Sequence, residues 1–299
     1  TAYGQELTKL SSPSLVEIEN VFSRSMLRDY EKLATSVTGT SKAFLVRYAR
    51  RLEIEALKLL LIMRSKGEEV KSYPWIMERI MTVAMAEKLV DVETPAEMVE
   101  MLRFSEYYQI LHKAVSEYSE QGTPYPFIKA LDTYHYARLN NILRKMSGND
   151  RSIAEHLVGL EIDAKNLLIV LRIRGTEEAI SDWLMPIRYR LTDPELAAAF
   201  NVKSLTEVQQ VFKRYTDIIS MGIKEYETTN SFFALENEFE RYILNANKRL
   251  FGGDRFHMGI PLAYLNLKEN EVKNLTVILQ GKEEDLPTSQ IEETILLPT

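Results

Sequence analysis

Four side chains in this sequence titrate near neutral pH in their unperturbed state: His112, His135, His156 and His257. Two of them follow an acid at helical spacing. Asp132-Thr133-Tyr134-His135 and Asp254-Arg255-Phe256-His257 each put a carboxylate and an imidazole three residues apart, on one helix face. A di-iron site in a helical bundle uses Glu-x-x-His twice with two further Glu residues. Here the acid is Asp, Asp254 reads better as a helix N-cap, and the two pairs fall at different places in the chain's internal repeat. A helical-bundle metalloenzyme is therefore disfavoured. No H-E-x-x-H or H-x-E is present, nor G-x-G-x-x-G or G-x-x-x-x-G-K-[ST]. With no cysteine, thiolate metal sites, disulfides and a Cys nucleophile are excluded. The residues give no catalytic, cofactor-binding or metal-binding set.

Paired acids form a second candidate. Glu53/Glu55, Glu161/Asp163 and Glu269/Glu271 are two residues apart, hence on different helix faces, and cannot act together as general acid and base. Asp163/Asn166 and Glu271/Asn274 are three apart and share a face. Their everyday use would be hydrogen bonds to a neighbouring loop or backbone. A sharper use would be a partner-facing surface, for which Asp163, Asn166, Glu271, Asn274 and Glu55 are the candidate residues. The aromatics Tyr107, Tyr108, Tyr134, Tyr136, Phe232, Phe233 and Phe239 recur at helical spacing, and core packing is their default.

The elements that must position these residues are helices. Apolar residues make up 45% and charged residues 27% of 299, which places the chain among globular proteins, and 12 Gly with 10 Pro leave few breakers. Ser12-Pro13 opens a helix to about Val37, stopped by Gly39, with Leu15, Ile18, Val21, Phe22, Met26 and Leu33 on one face. Ser41 caps the next, which runs through Phe44, Leu45, Tyr48, Leu52 and Ala56 to Gly67. A helix after Asn149-Asp150 ends likewise at Gly175, Asp193-Pro194 starts a short one, and Gly252-Gly253-Asp254 is a stop followed by a cap. Gly122-Thr123-Pro124-Tyr125-Pro126 reads as a loop, and Ile295 to Pro298 as a tail docked on helices.

These helices repeat. Residues 53–67 and 161–175 are identical at seven of fifteen ungapped positions, 108 residues apart. A further 108 residues on, 269–279 shares Glu, Lys, Asn, Leu and Leu with the second copy. Upstream lie apolar–acidic–x–x–aromatic runs at Ile18–Phe22, Leu131–His135 and Leu235–Phe239. Downstream of the first two copies, Thr94-Pro95-Ala96-Glu97 and Ser204-Leu205-Thr206-Glu207 are capping boxes. The expected fold is all-α: three homologous helical repeats at 1–93, 94–203 and 204–299, closed around a pseudo-threefold axis as a cup or funnel. With the period as ruler, the first repeat is short by about 40 residues at its N-terminus.

Net charge is −6, with no Lys/Arg block, which disfavours a nucleic-acid binder and an anionic membrane surface as ligand. The longest apolar runs, Leu59–Met63 and Leu167–Leu171, are far too short to span a bilayer.

Thr1-Ala2-Tyr3-Gly4-Gln5-Glu6-Leu7, Glu161-Ile162-Asp163-Ala164-Lys165-Asn166-Leu167, Pro261-Leu262-Ala263-Tyr264, Glu271 and Gln290-Ile291-Glu292-Glu293 resemble the C subunit of A-type and bacterial V-type ATP synthases. The eukaryotic counterpart is the d subunit of the vacuolar ATPase. The similarity runs the whole chain, spread over many positions. It departs at Lys58, where the other repeats carry Asn166 and Asn274, and at Gln280-Gly281, where the third copy ends early. The resemblance implies an all-helical funnel of three similar domains, without catalysis and without a cofactor. It implies a place on the cytoplasmic face of the cell membrane, peripheral to it. The partners it implies are the D and F subunits of the central stalk and the membrane rotor ring (its c, K or L subunits). Between these, torque passes for proton or sodium transport coupled to ATP. A helical-repeat scaffold for another protein partner is the alternative.

Overall fold

The computed structural model describes residues 3–11, 13–70, 74–174, 176, 179–202, 204–229, 231–252 and 257–298. Sixteen α-helices make up most of the described residues, with short 3-10 turns and no strand among them. The helices fall into two compact units, Thr1–Lys145 with Lys282–Glu284, and Met146–Gly281 with Asp285–Thr299.

The first unit holds α1 (Gly4–Leu7), α2 (Leu15–Thr35), α3 (Gly39–Tyr48), α4 (Arg51–Ser65), α5 (Val83–Glu87), α6 (Pro95–Met101), α7 (Tyr108–Gln121) and α8 (Tyr125–Leu143). Its core gathers on α4, whose Leu57, Leu60 and Leu61 pack with Met77, Leu89, Val99, Leu111, Phe127 and Leu131. Local chemistry sets several boundaries. Ser14 and Glu17 form a reciprocal capping box for α2, and Thr94 and Glu97 one for α6, with Pro95 at its first position. Gly122, at φ +68°, closes α7 with the left-handed turn that a side chain resists.

Three sequence expectations need correction here. Gly39 starts α3 instead of stopping α2, because the chain turns over Ser36–Thr38 and Gly39 takes φ +58° at the first helical position. Ser41 therefore sits inside α3. The helix expected to run unbroken to Gly67 is also interrupted, at Ala49 and Arg50. That break lets Phe44, Leu45 and Tyr48 all reach complete burial while α4 keeps its own buried face. Tyr125 and Pro126, expected in a loop, form the first turn of α8, where proline costs no hydrogen bond.

The second unit holds α9 (Gly148–Ile173), α10 (Ile180–Trp183), α11 (Asp193–Asn201), α12 (Leu205–Val211), α13 (Thr216–Thr229), α14 (Phe233–Arg249), α15 (Gly259–Glu283) and α16 (Thr288–Thr294). Along α9, Leu160, Ala164, Leu167, Val170 and Leu171 form the floor on which Leu191, Leu196, Val208, Phe212, Ile219 and Phe239 pack. Thr192 and Glu195 make a capping box for α11, and the Ser204 hydroxyl accepts from the Glu207 N–H at the start of α12. Helices α13 and α14 cross closely at Gly222, where an added Cβ would lie 2.7 Å from the Leu235 Cα. Ser12, Gly175, Gly253 and Asp254, read from the sequence as helix signals, lie outside the described residues. No helix among the described residues is long and apolar enough to cross a membrane.

Candidate functional site

In the second unit the chemistry converges on α9. Its length carries Asp163 and Asn166 on the same buried side, and neither has exposed surface. Asp163 accepts four hydrogen bonds: from the backbone N–H groups of Tyr189 (3.2 Å), Arg190 (2.8 Å) and Leu191 (3.2 Å), and from the Tyr215 hydroxyl (2.8 Å). Burial pushes its carboxyl above the ordinary aspartate value, and those four donors pull in the opposite direction. Asn166 works both ways on the same segment. Its amide donates to the Ile187 carbonyl, and its oxygen accepts from the Met185 N–H, both at 3.0 Å. Residues 185–191 form neither helix nor strand, so these two side chains satisfy backbone groups that no regular structure serves. The Tyr189 ring completes the clamp by lying on Gly159, where an added Cβ would come within 2.2 Å of it. The Tyr189 hydroxyl also meets His156 Nδ1 at 3.1 Å.

Asn274 repeats the device on α15. Its amide donates to the Leu296 carbonyl (2.8 Å) and its oxygen accepts from the Leu296 N–H (3.1 Å), while Asn270 donates to the same carbonyl (2.8 Å). The C-terminal tail is thereby docked on a helix. Glu271 is exposed and pairs with Lys268 at 2.9 Å. So Asp163, Asn166 and Asn274 spend their polar atoms on the chain's own backbone, whereas Glu271 and Glu55 stand at the surface.

The first unit has its own polar centre. Lys58, at the position where the other two copies carry Asn, is buried on α4 and pairs with buried Asp132 of α8. Exposed Glu55 reaches the same ammonium at 2.9 Å. Asp132 of the Asp-x-x-His pair is thus matched to a lysine. Among the described residues no three His, Cys, Asp or Glu side chains converge as a metal site requires. Glu53, not Glu55, is the buried acid of its pair. It accepts from the Tyr107 hydroxyl (2.8 Å) and from Arg50 (2.7 Å). Burial and the adjacent Glu53 charge push the Tyr107 hydroxyl far above the ordinary tyrosine range. The pairs Glu53–Tyr107 and Asp163–Tyr215 are therefore the same kind of latch. Sequence reasoning places Tyr107 only in the core and does not single out Tyr215. The signal that could find them is their spacing, since 215 − 107 is the 108-residue period itself.

His135 is buried on α8 between Tyr48 and Tyr136, and its Nδ1 has no hydrogen-bond partner. Burial lowers its pKa well below 6.5, Arg51, Arg47 and Lys58 lower it further, and Glu55 opposes them. The folded unit therefore keeps His135 neutral while the unfolded chain takes up a proton below about pH 6.5. Above that pH the residue has no effect on stability. Below it stability falls, down to the folded-state pKa, by up to about 1.4 kcal/mol per pH unit. His135→Phe should remove that slope, read by denaturant unfolding at pH 7 and pH 5. An unchanged slope would assign the acid sensitivity elsewhere.

Comparison with known proteins decides the family. The ATP synthase (C/AC39) subunit family matches residues 1–294. The chain belongs to that family. Among its relatives, the C subunit of the A-type ATP synthase of Methanocaldococcus jannaschii is 25% identical over 307 residues, spanning 99% of this chain and 76% of the relative. The Methanosarcina barkeri protein of the same name is 28% identical over 93% of this chain and 77% of its own length. The Halorubrum lacusprofundi protein, again of that name, is 23% identical over 99% and 86% respectively. As a member of this family, the chain is all-helical, as the resemblance implied, and is an ATP synthase subunit by descent.

Proposed function

We propose that this chain is a non-catalytic central-stalk subunit of an A-type rotary ATPase. It is a helical socket that links the D–F shaft to the membrane rotor ring and passes torque between them. The observation that carries this reading is the family match across residues 1–294, with relatives named as the C subunit of the A-type ATP synthase. It acts at the cytoplasmic face of the membrane, seated on the ring without inserting, in the transport of protons or sodium ions coupled to ATP.

The helix ladder supports the threefold organisation at 1–93, 94–203 and 204–299. Helices α7 and α13 begin at 108 and 216 and end at 121 and 229, so both ends are displaced by one period. Likewise α2 and α8 end at 35 and 143, and α8 and α14 begin at 125 and 233. A torque adapter must be stiff, and the buried latches suit that need, since each fastens a long helix to a segment distant in sequence. Exposed Glu55 and Glu271 lie where a partner can touch them. Asp163, Asn166 and Asn274 serve the partner surface at one remove, by fixing the backbone at 185–191 and 296.

The test is native mass spectrometry of the purified chain mixed with the D–F pair of a matching rotary ATPase. A 1:1:1 complex is expected. Absence of a complex at micromolar concentration, also for a chain extended at its N-terminus to the relatives' length, would sink the socket reading and favour a helical scaffold for another protein.

A further inference from the structure

The protein is acidic overall, and its described surface cations are commonly matched to acids, as in Arg79–Glu31, Arg151–Glu155, Arg188–Asp193 and Lys273–Glu240. The second unit holds an exception. Arg190, Lys213 and Arg214 are all exposed, and among the described residues none of the three enters an ion pair. They belong together in space, because the Arg214 guanidinium donates to the Arg190 backbone carbonyl and Lys213 is its chain neighbour. Like charges repel when brought together in this way, so the arrangement needs a compensating gain.

The clamp on 185–191 is what mounts this patch. The Arg190 N–H is one of the four donors to buried Asp163. Its guanidinium lies over the Tyr189 ring at 5.2 Å, and that ring rests on Gly159. On the other side, Tyr215, directly after Arg214, ends in the same carboxylate. A buried aspartate and its four hydrogen bonds thus hold rigid the backbone of two segments that carry unmatched arginines. Burying a carboxylate is unfavourable, and doing so to order an exposed cationic loop makes sense if the loop meets a ligand.

We propose that Arg190, Lys213 and Arg214 form a docking patch for a carboxylate-rich segment of another subunit of the rotary complex. The proposal rests on the rotary-ATPase reading and deepens it. Charge complementarity picks the occupant. Three unmatched cations on a preorganised backbone fit a short acidic loop or helix end. The alternative anionic surface, a lipid bilayer, would repel the rest of a chain of net charge −6.

The experiment measures binding of the full chain separately to the D–F pair and to the detergent-solubilised rotor ring, over a salt series from about 50 to about 300 mM. It compares wild type, R190E/K213E/R214E and the charge-preserving R190K/R214K. Expected is a loss of roughly tenfold or more in association rate of the reversed variant for one of the two partners. A flatter salt dependence should accompany it, with the other partner bound as by wild type and R190K/R214K close to wild type. The partner still bound reports that the variant is folded. Wild type binding neither partner would remove the rotary-ATPase reading itself. Wild type binding while the reversed variant matches it at every salt concentration would overturn the patch alone. So would patch-dependent binding of wild type to vesicles of phosphatidylcholine and phosphatidylglycerol with binding to both protein partners unaffected, which would make the occupant a lipid surface.

Discussion

Asp163→Ala is expected to destabilise the second unit by about 3–4 kcal/mol, more than most single substitutions. The carboxylate has no exposed surface and receives three backbone N–H groups and the Tyr215 hydroxyl. Removing it strands donors that cannot all reach water, and each stranded buried group costs about 1–3 kcal/mol. Relaxation of 185–191 recovers part of that, which keeps the total below the simple sum. The same relaxation loosens the Arg190 mount. Tyr215→Phe deletes one of the four bonds, and a hydrogen bond to a charged acceptor contributes about 1.5–3 kcal/mol, so it should cost less than the alanine. Asp163→Asn keeps the volume but turns an NH2 towards donors, and should fall between them. Denaturant unfolding gives the ranking, and amide hydrogen exchange at 189–191 should accelerate in the alanine variant well beyond the global change. Equal protection in wild type and Asp163→Ala would mean that packing of Leu191 and Tyr189, not the carboxylate, holds the loop.

Lys58→Ala should weigh on the first unit by about 3–5 kcal/mol, the range for breaking a buried pair from one side. The loss is not the strength of the attraction. It is the cost of leaving Asp132, itself buried, without its counter-charge. The double variant Lys58→Met with Asp132→Leu therefore separates the two accounts. With both charges replaced by apolar groups of similar size, stability should return to within about 1 kcal/mol of wild type, or exceed it. A double variant as unstable as Lys58→Ala would show that the pair is worth more than its desolvation cost. Lys58→Asn is instructive because the other repeats carry Asn166 and Asn274 at this position. In those copies the amide clamps a backbone segment, whereas at 58 the neighbour is a carboxylate on α8. An asparagine there leaves the Asp132 charge uncompensated and should behave nearly as badly as alanine.

Much of the architecture was written locally. Thr94 with Glu97 and Pro95 started a helix where a hydroxyl, a reciprocating carboxylate and a preset φ agree. Gly67 and Gly122, both with φ +68°, marked helix ends for the same short-range reason. The 108-residue spacing was visible because it depends on identities along one chain. So was the everyday use of Asp163, Asn166 and Asn274 as hydrogen-bonders of a loop, since short polar side chains on an otherwise apolar helix stretch have few other uses.

Other features depended on which surfaces meet. Glu53 and Glu55 are equivalent to any local rule, and register with Asp163 favours Glu55 as the buried acid. Packing of α4 against its neighbours put Glu53 inside, with Tyr107 and Arg50 as partners, and left Glu55 at the surface. Gly39 was a stop by composition and became a start, because three residues of turn sufficed to re-enter a helix whose Phe44, Leu45 and Tyr48 needed burial. The partners of Asp163 lie 26, 27, 28 and 52 residues away, and the cations of the docking patch come from two segments that meet only on folding. Helix propensity and capping act over about one turn, whereas a buried hydrogen bond is chosen by whatever the core brings within about 3 Å of it. In this protein the helices were therefore legible from their own residues, and the latches that tie them together were not.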